Sequence, residues 1–532
     1  MHAVMILILA LPLATAVICL RAPLAAARTL TALTGVASFG LVLALVPTAA
    51  HGDIAYLRLL RVDAVSAVFL LATGFLYGAI AVYSIGYMSG GHGGGAASRY
   101  SRRFWVGLNL FAWAMLVAPM MSNLALLWVA VEITTVVSAL LVAIEDSDGA
   151  AEAAWKYVLL ASAGLGLALL ATIFAYYAGA HVLGQSYDLG FTQLLAVAGR
   201  LPHAVVELAF VLAVLGYGTK MGLVPVHTWL PDAHSEAPTP VSALLSGSLL
   251  AISFYAILRY YQVAAAALGS TFPRNVLLAF GIASLLLAAL YLFGQRDIKR
   301  LLAYSSVEHM GILAIGVSFG VPAALAGVFL HVLAHAAAKG SAFMGAGVLV
   351  RKLGTKRIAG IRGGLDLLPW SGPLFLAAIF ALGAMPPFGL FRSEFEIVAG
   401  GLRSGRYAAA AFLIIAVTVA FFGLAASATR MLMLPSPSAA QTVPVPESVP
   451  EPEPVPVAAG AAPPERNAPP APAAAGPTAE RVVRVVRGEP SAWMVAPVAA
   501  GMLALLLLGL HPPADLTDLF TRAVALLNPG AR

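Results

Sequence analysis

Residues 216–247, GYGTKMGLVPVHTWLPDAHSEAPTPVSALLSG, decide how the rest of the chain is read. Apolar sequence flanks the stretch, yet within it stand Lys220, His227, Asp232, His234 and Glu236, together with Pro225, Pro231, Pro238 and Pro240. A proline removes a backbone donor and disrupts the helical bond one turn back, so an unbroken helix cannot run through here. At membrane depth such backbone survives only where protein or a water-filled cavity covers it, and an ionisable group there is by default a candidate for function. The stretch reads as the core of a proton path.

Composition makes the membrane setting firm. The chain has 532 residues, 60% of them hydrophobic and only 10% charged, with a mean hydropathy of +0.90. This describes a polytopic membrane protein without room for a sizeable soluble domain. The single cysteine, Cys19, excludes a disulfide framework and any iron–sulfur cluster held by the chain's own thiolates. The net charge of +7 arises from basic residues in short loops between apolar runs. That placement encodes membrane topology rather than nucleic-acid binding. The first residues, MHAVMILILALPLATAVICL, are followed by an AxA-like Ala25–Ala27 but lack a basic leading region, which favours a retained first helix over a cleaved signal peptide.

Apolar runs of about 20 residues, the length that spans a bilayer, give roughly fourteen helices. They fall near 2–20, 29–47, 64–86, 104–121, 123–143, 153–178, 205–224, 239–262, 275–295, 300–319, 322–350, 368–390, 407–433 and 491–511. With the N-terminus placed outside, the inner loops collect the larger share of Lys and Arg, including Arg21, Arg28, Arg102, Arg103, Arg296 and Arg300, so both termini are expected on the outer side. Residues 435–490 differ entirely, with PVPESVPEPEPVPV, Ala/Pro repeats and then RVVRVVRGEP. They cannot bury a core and favour extended polyproline conformations, which makes them an inner-side linker. Arg481, Arg484 and Arg487 either touch anionic lipid head groups or form the solvated flank of the last helix.

A second break stands at Pro386–Pro387 in ALGAMPPFGLFRSEFEIV, about two turns before Glu394. Paired broken helices in the two halves of a chain point to inverted repeats. The expected fold is all-α and polytopic, with two inverted five-helix repeats that each contain a broken helix. Residues 1–103 supply three N-terminal helices, 104–262 the first repeat, 263–434 the second, 435–490 the linker, and 491–532 a final helix and tail.

Glu132 lies in the uncharged run LALLWVAVEITTVVSALLVA. A charge there costs about 2.5–3.5 kcal/mol on insertion scales, so it must be paired, protonated or wet. Lys220 is its natural partner, and a structural polar knot is the alternative. His331, His335 and Lys339, in HVLAHAAAKGSAF, recur at four-residue spacing and share one stripe of a helix. Imidazoles titrate near pH 6.5, so the stripe reads as a relay; the other reading is two satisfied core histidines and a snorkelling lysine. No HExxH motif or third ligand accompanies the histidines, and a metal site is rejected. Glu394 and Glu396 point to different faces, and Glu394 is taken to face the path. Glu308 and His309 either extend the relay, or Glu308 only pairs with Lys299 or Arg300. His227, Asp232, His234 and Glu236 either form a half-channel mouth or cap the half-helices. There is no strand-linked GxGxxG, Walker pattern or thiolate cluster, so no cofactor is assigned to the chain and any redox chemistry belongs to partner subunits.

At these residues the chain resembles the antiporter-like membrane subunits shared by respiratory complex I, membrane-bound nickel–iron hydrogenases and multi-subunit sodium/proton antiporters. The motifs are VPVHTWLPDAHSEAPTPVSALLSG, QRDIKRLLAYSSVEHMGIL, HVLAHAAAKGSAF and PPFGLFRSEFEIV, and the similarity spans about 64–433. Their wording is most similar to the F component of hydrogenase-4 and formate-hydrogenlyase type complexes. The resemblance implies a proton-translocating, non-redox subunit of an oxidoreductase complex in a bacterial or archaeal inner membrane. Other membrane subunits and a peripheral hydrogenase-like or quinone-reductase module would be its partners, and protons or sodium its cargo. It also implies an input pair at Glu132 and Lys220 and an exit at Glu394. The sequence departs at Ala251, where some relatives carry a central lysine, leaving the link to His331, His335 and Lys339 to water and Ser248 or Ser253. The alternative is a subunit of a cation/proton antiporter or ion-coupled uptake system without redox chemistry.

Overall fold

The computed structural model describes residues 1–89, 95–435 and 486–528. Most of the 435–490 linker, with Arg481 and Arg484, lies outside the described residues. Among those described, thirteen helices are long and apolar enough to cross a membrane. With the pieces of broken helices included, they run α1 His2–Cys19, α2 Leu24–His51, α3 Ala64–Tyr87, α4 Gly95–Val117, α5 Leu124–Val142, α6 Asp148–Leu183, α7 His203–Met221 and α8 Leu230–Glu236. Then follow α9 Thr239–Leu268, α10 Thr271–Tyr291, α11 Ile298–Phe319, α12 Pro322–Leu353, α13 Ser371–Leu382, α14 Gly389–Arg403, α15 Tyr407–Met433, α16 Ala492–Leu510 and α17 Ala514–Leu527. The chain is a multi-pass, all-α membrane protein. Its only described sheet is a hairpin of Ile54–Tyr56 against Leu60–Val62, with Ile54 opposite Val62.

Both expected breaks are present. α7 stops at Met221 and is closed by Gly222 at φ +86°, a left-handed cap that only glycine adopts cheaply, and the chain resumes at α8. The span expected over 368–390 is not one helix. Pro386 and Pro387 separate the twelve-residue α13 from α14, so this crossing is made of two pieces.

Layering follows hydropathy and polarity together. α9 and α11 are buried along their whole apolar windows, with α3 and α12 close behind, while α1, α6, α10, α15 and α16 form an outer ring. That ring turns Leu159, Leu290, Ile415 and Leu507 outward, as side chains facing lipid should. Between membrane helices lipid tails remove most of the hydrophobic drive, so close backbone approach matters instead. It occurs at several helix pairs, including the broken α14, where a Cβ on Gly400 would lie 2.7 Å from the Ala324 amide nitrogen of α12. A Cβ on Gly216 of α7 would lie 2.5 Å from the Ala168 amide nitrogen of α6, and Cβ atoms on Gly281 of α10 and Gly311 of α11 would each lie 2.9 Å from the other's carbonyl oxygen.

The residues after the last span, expected only as a tail, form the amphipathic α17. Leu519, Phe520, Ala523, Val524 and Leu527 are buried on one stripe. Arg522 bonds the His51 carbonyl at 3.0 Å and Asp53 at 3.1 Å, and Gln262 reaches the Leu526 carbonyl at 3.0 Å. This strap sits over a buried network in which Asp63 accepts from Arg259 at 2.7 Å and caps α3 through the Ser66 amide at 2.9 Å.

Candidate functional site

Lys220 stands one residue before the end of α7, where unsatisfied carbonyls and the helix dipole favour a cation. Its ammonium donates to the Val131 carbonyl at 3.0 Å, Thr134 Oγ1 at 2.6 Å and Thr135 Oγ1 at 2.5 Å. All three donors of a lysine are thereby used. The expected direct pair with Glu132 is not formed: no Glu132 carboxylate oxygen comes within 4.0 Å of a described cation. Thr134 and Thr135 supply acceptors within hydrogen-bond distance of the ammonium and, with Val131, occupy its donors, leaving Glu132, two residues before Thr134 on α5, without a direct contact. Glu132 is half-buried, and its Oε2 is buried without a protein partner. The threonines are functional candidates that the sequence reading missed; their adjacency in EITT one turn from Glu132 was the available signal.

The first break is held by polar partners along its length. Ser284 of α10 accepts from the Val224 amide at 2.9 Å, and the Trp229 indole donates to the Thr219 carbonyl at 2.7 Å. Asp232 is bonded to Arg300, Glu236 to Lys356 at 2.7 Å, and Lys299 donates to the Ala237 carbonyl at 2.7 Å. These accessory residues therefore tie α8 to the start of α11 and to the loop after α12. His227 lies beside them, buried near the Tyr304 ring. His234 turns inward instead. Its Nδ1 meets the Leu230 carbonyl at 2.7 Å, its Nε2 has no protein partner, and its ring lies 5.8 Å from that of Phe343, one turn beyond Lys339 on α12.

At the second break, α11 and α12 present facing polar stripes. Ser305, Glu308 and His309 follow the i, i+3, i+4 rule on α11, and His331, His335 and Lys339 the i, i+4, i+8 rule on α12. Lys339 donates to Ser305 and to the Leu302 carbonyl, the latter at 3.0 Å. His309 Nδ1 and His331 Nε2 share a hydrogen bond of 3.2 Å, the His335 ring stands 5.1 Å from that of His309, and His331 Nδ1 meets Ser393 Oγ at 3.0 Å. Glu394, the neighbour of Ser393 on α14, brings Oε1 to 3.9 Å from His309 Nδ1. Glu396 points away and pairs with Arg392 at 3.1 Å. Glu308 does not pair with Lys299 or Arg300, whose donors are engaged elsewhere, and both of its oxygens are without protein partners.

Several buried atoms here have no protein hydrogen bond: both Glu308 oxygens, His309 Nε2, both His335 nitrogens and Glu394 Oε1. Native proteins rarely leave buried polar atoms without partners, so this concentration singles out the cluster as the candidate site. The metal question also changes. The sequence offered only two histidines, whereas the fold brings donor atoms of His309, His331 and Glu394 within 4.8 Å of one another. His309 and His331 also bond each other, and His331 bonds Ser393.

Between the breaks runs α9, which opens into a π-helical turn at Leu245–Leu249 just before Ala251. Such turns often mark functional positions in helices. Ser246 shares a 2.7 Å hydrogen bond with Ser306 of α11, and Ser248 one of 2.7 Å with Thr73 of α3. Ser246 and Ser306, rather than Ser253, thus reach toward the Lys339 end of the second cluster. Ser253 bonds only back to the Leu249 carbonyl, at 3.3 Å.

Residues 121–422, which contain both breaks and every relay candidate, match the family described as NADH:quinone oxidoreductase/Mrp antiporter, transmembrane. The chain belongs to this family. It is 36% identical over 361 residues to a hydrogenase-4 component F homolog of Methylacidiphilum infernorum, covering 67% of this chain and 75% of that protein. It is 32% identical over 350 residues to hydrogenase-4 component B of Escherichia coli, covering 63% of this chain but half of that protein's length. Among solved structures, a chain of the Mrp complex from Dietzia sp. superposes with a TM-score of 0.80 at 21% identity, over 100% of this chain and 98% of that one. A chain of respiratory complex I from Thermus thermophilus gives 0.76 at 22% identity, over 98% and 99%. At those identities the superpositions show a shared fold. This antiporter-family chain is accordingly an antiporter-like membrane subunit of the type found in complex I, hydrogenase-4 and Mrp relatives.

Proposed function

We propose that the chain carries protons along a buried relay from Glu132 and Lys220, past His234 and Lys339, through His335, His331 and His309 to Glu394, driven by electron transfer in partner subunits of a hydrogenase-4 type complex. The observation that carries this reading is the α11–α12–α14 cluster, where three imidazoles and two carboxylates meet in a buried space with half a dozen atoms lacking protein partners. Neutral imidazole both accepts and donates, so a bonded imidazole pair ending at a carboxylate passes a proton by successive short hops. The hydrogenase-4 names of the sequence relatives favour a redox-driven parent over a free-standing exchanger. In this reading the repeats are 104–262 and 263–434, each built on one break, and the chain lies in a bacterial or archaeal plasma membrane with both termini outside. Other membrane subunits and a peripheral hydrogenase-like or quinone-reductase module complete the assembly.

The test is redox-linked acidification by the complex reconstituted into sealed vesicles. Lys220→Ala or Glu132→Ala is expected to abolish it while assembly stays intact. Pumping that continues unchanged in both variants sinks the relay. Sodium/proton exchange in the same vesicles without an electron donor would instead support the antiporter alternative.

A further inference from the structure

Away from the relay, a groove of about 630 Å³ opens toward the lipid between α2, α3 and the start of α16. Its size falls in the range of ordinary small-molecule sites. Its two ends are chemically unlike. At one end stand Arg28 in the first turns of α2, Ser89 just beyond the end of α3, and Trp493 at the start of α16. All three belong to helix ends at the same membrane boundary. Deeper along the groove the walls become Leu33 and Val36 of α2 and Val82 of α3. α2 runs into the bilayer from Arg28 while α3 comes back out toward Ser89, so Val36 and Val82 lie at matching depth, about 12 Å below the mouth at 1.5 Å per helical residue.

The mouth is maintained by packing. Gly86 of α3 lets α16 come close, since a Cβ there would stand 2.8 Å from Ser491 Oγ, and this brings Trp493 over the α2–α3 seam. Trp493, Leu33 and Val36 are all exposed. Neighbouring arginines at this boundary are engaged. Arg102 donates to the Cys19, Leu20 and Ala22 carbonyls, and Arg351 to those of Gly86 and Tyr87. Among the described residues Arg28 makes neither an ion pair nor a side-chain hydrogen bond, although it is half-buried. A half-buried guanidinium beside an indole at head-group level, above an apolar trough, fits an amphipathic anion.

We infer that this groove binds one anionic phospholipid, with the phosphate at Arg28 and Trp493 and an acyl chain along Leu33, Val36 and Val82. The exposed Arg487, six residues before Trp493, adds positive charge to the same stretch of sequence. A transmembrane segment of a partner is a poorer occupant, because it would have to place an acid against Arg28 at the boundary while filling the trough with hydrocarbon.

The experiment uses the intact complex in mild detergent, equilibrated with phosphatidylglycerol or phosphatidylcholine, with lipid retained per complex counted by mass spectrometry. Phosphatidylglycerol should be retained in preference to phosphatidylcholine. Arg28→Ala should lower that retention about fivefold, as expected for one basic residue near a charged membrane surface. Arg28→Lys should restore most of it, and Arg21→Ala, outside the groove, should leave it unchanged. Leu33→Trp, which fills the trough without touching the charge, guards against a misfolded Arg28 variant and should also displace the lipid. Equal retention of both lipids, or retention indifferent to both Arg28→Ala and Leu33→Trp, overturns the assignment. A photoreactive group at Val36 that cross-links to a partner subunit rather than to lipid overturns it as well.

Discussion

At the first break Lys220 has all three of its donors placed, on Val131, Thr134 and Thr135, whereas at the second break Glu394, His309 and His335 each keep atoms without a protein partner. The two sites share an architecture, a helix interrupted at proline and packed closely through glycine against an earlier helix, α7 on α6 and α14 on α12. They differ in how firmly the ionisable group is held. All three N–H groups of the Lys220 ammonium have acceptors on α5, so its position is fixed by a complete hydrogen-bond set. The imidazole–carboxylate cluster leaves several polar atoms without a protein partner. Under the proposed relay, the first site holds its lysine in a defined place and the second offers open polar atoms for passing protons along.

Beyond the loss expected at Lys220 and Glu132, the largest effect that separates the two sites tests the second. His309→Ala removes the imidazole that links His331 to Glu394, and proton translocation in reconstituted vesicles should fall about a hundredfold, the low end for a positioned acid–base group. A decrease of less than twofold would mean that this cluster is structural. The next effect tests the first site. Replacing Thr134 and Thr135 by valine leaves two donors of a buried ammonium unpaired, at about 1–3 kcal/mol each, and should slow translocation roughly tenfold. A null result would show that the threonines do not hold Lys220 in its working state.

A third prediction uses a group outside both breaks as a reference. Asp63, at the start of α3, is pushed upward by burial, but Arg259, with Arg61 and the Ser66 amide, overrides this and holds the carboxyl well below the usual carboxylate range. Its stabilising contribution is fully present above the unfolded value of about 3.9 and disappears only as pH falls below that toward the folded value. Thermal melting of the complex should lose this part of its acid sensitivity in Asp63→Asn, while His309→Ala should retain it. The smallest effect belongs to the half-exposed pair of Asp232 with Arg300. Asp232→Asn should cost less than about 1 kcal/mol and leave translocation within twofold, because partly solvated ion pairs contribute little. A large loss of transport would move Asp232 from bracing to the proton entrance.

Much of this could be read from the chain alone. Glu132, Lys220, His331, His335, Lys339 and Glu394 stood out because a charge in an apolar run is rare, and both breaks were visible in their prolines. Less legible was what each group touches. The sequence pairs Glu132 with Lys220 as the obvious opposite charges in apolar surroundings, yet uncharged threonines hold the lysine. Ser305, Ser306 and Ser393 carried no signal, since serine is common in membrane helices and only position distinguishes these three. The amphipathic α17 was passed over as a tail because it is too short to span.

The sequence by itself determined that this chain crosses the membrane many times, where two crossings break, and which ionisable groups are buried with them, because hydrocarbon penalises charge and open backbone wherever they occur. Only the tertiary structure decided that Lys220 is braced by hydroxyls, that His309 crosses from α11 to meet His331 and Glu394, and that Ser246 reaches Ser306. Those choices depend on how helices rotate and approach one another. Between helices surrounded by lipid, that is set by glycine contacts and hydrogen-bond geometry, which pair residues far apart in the chain.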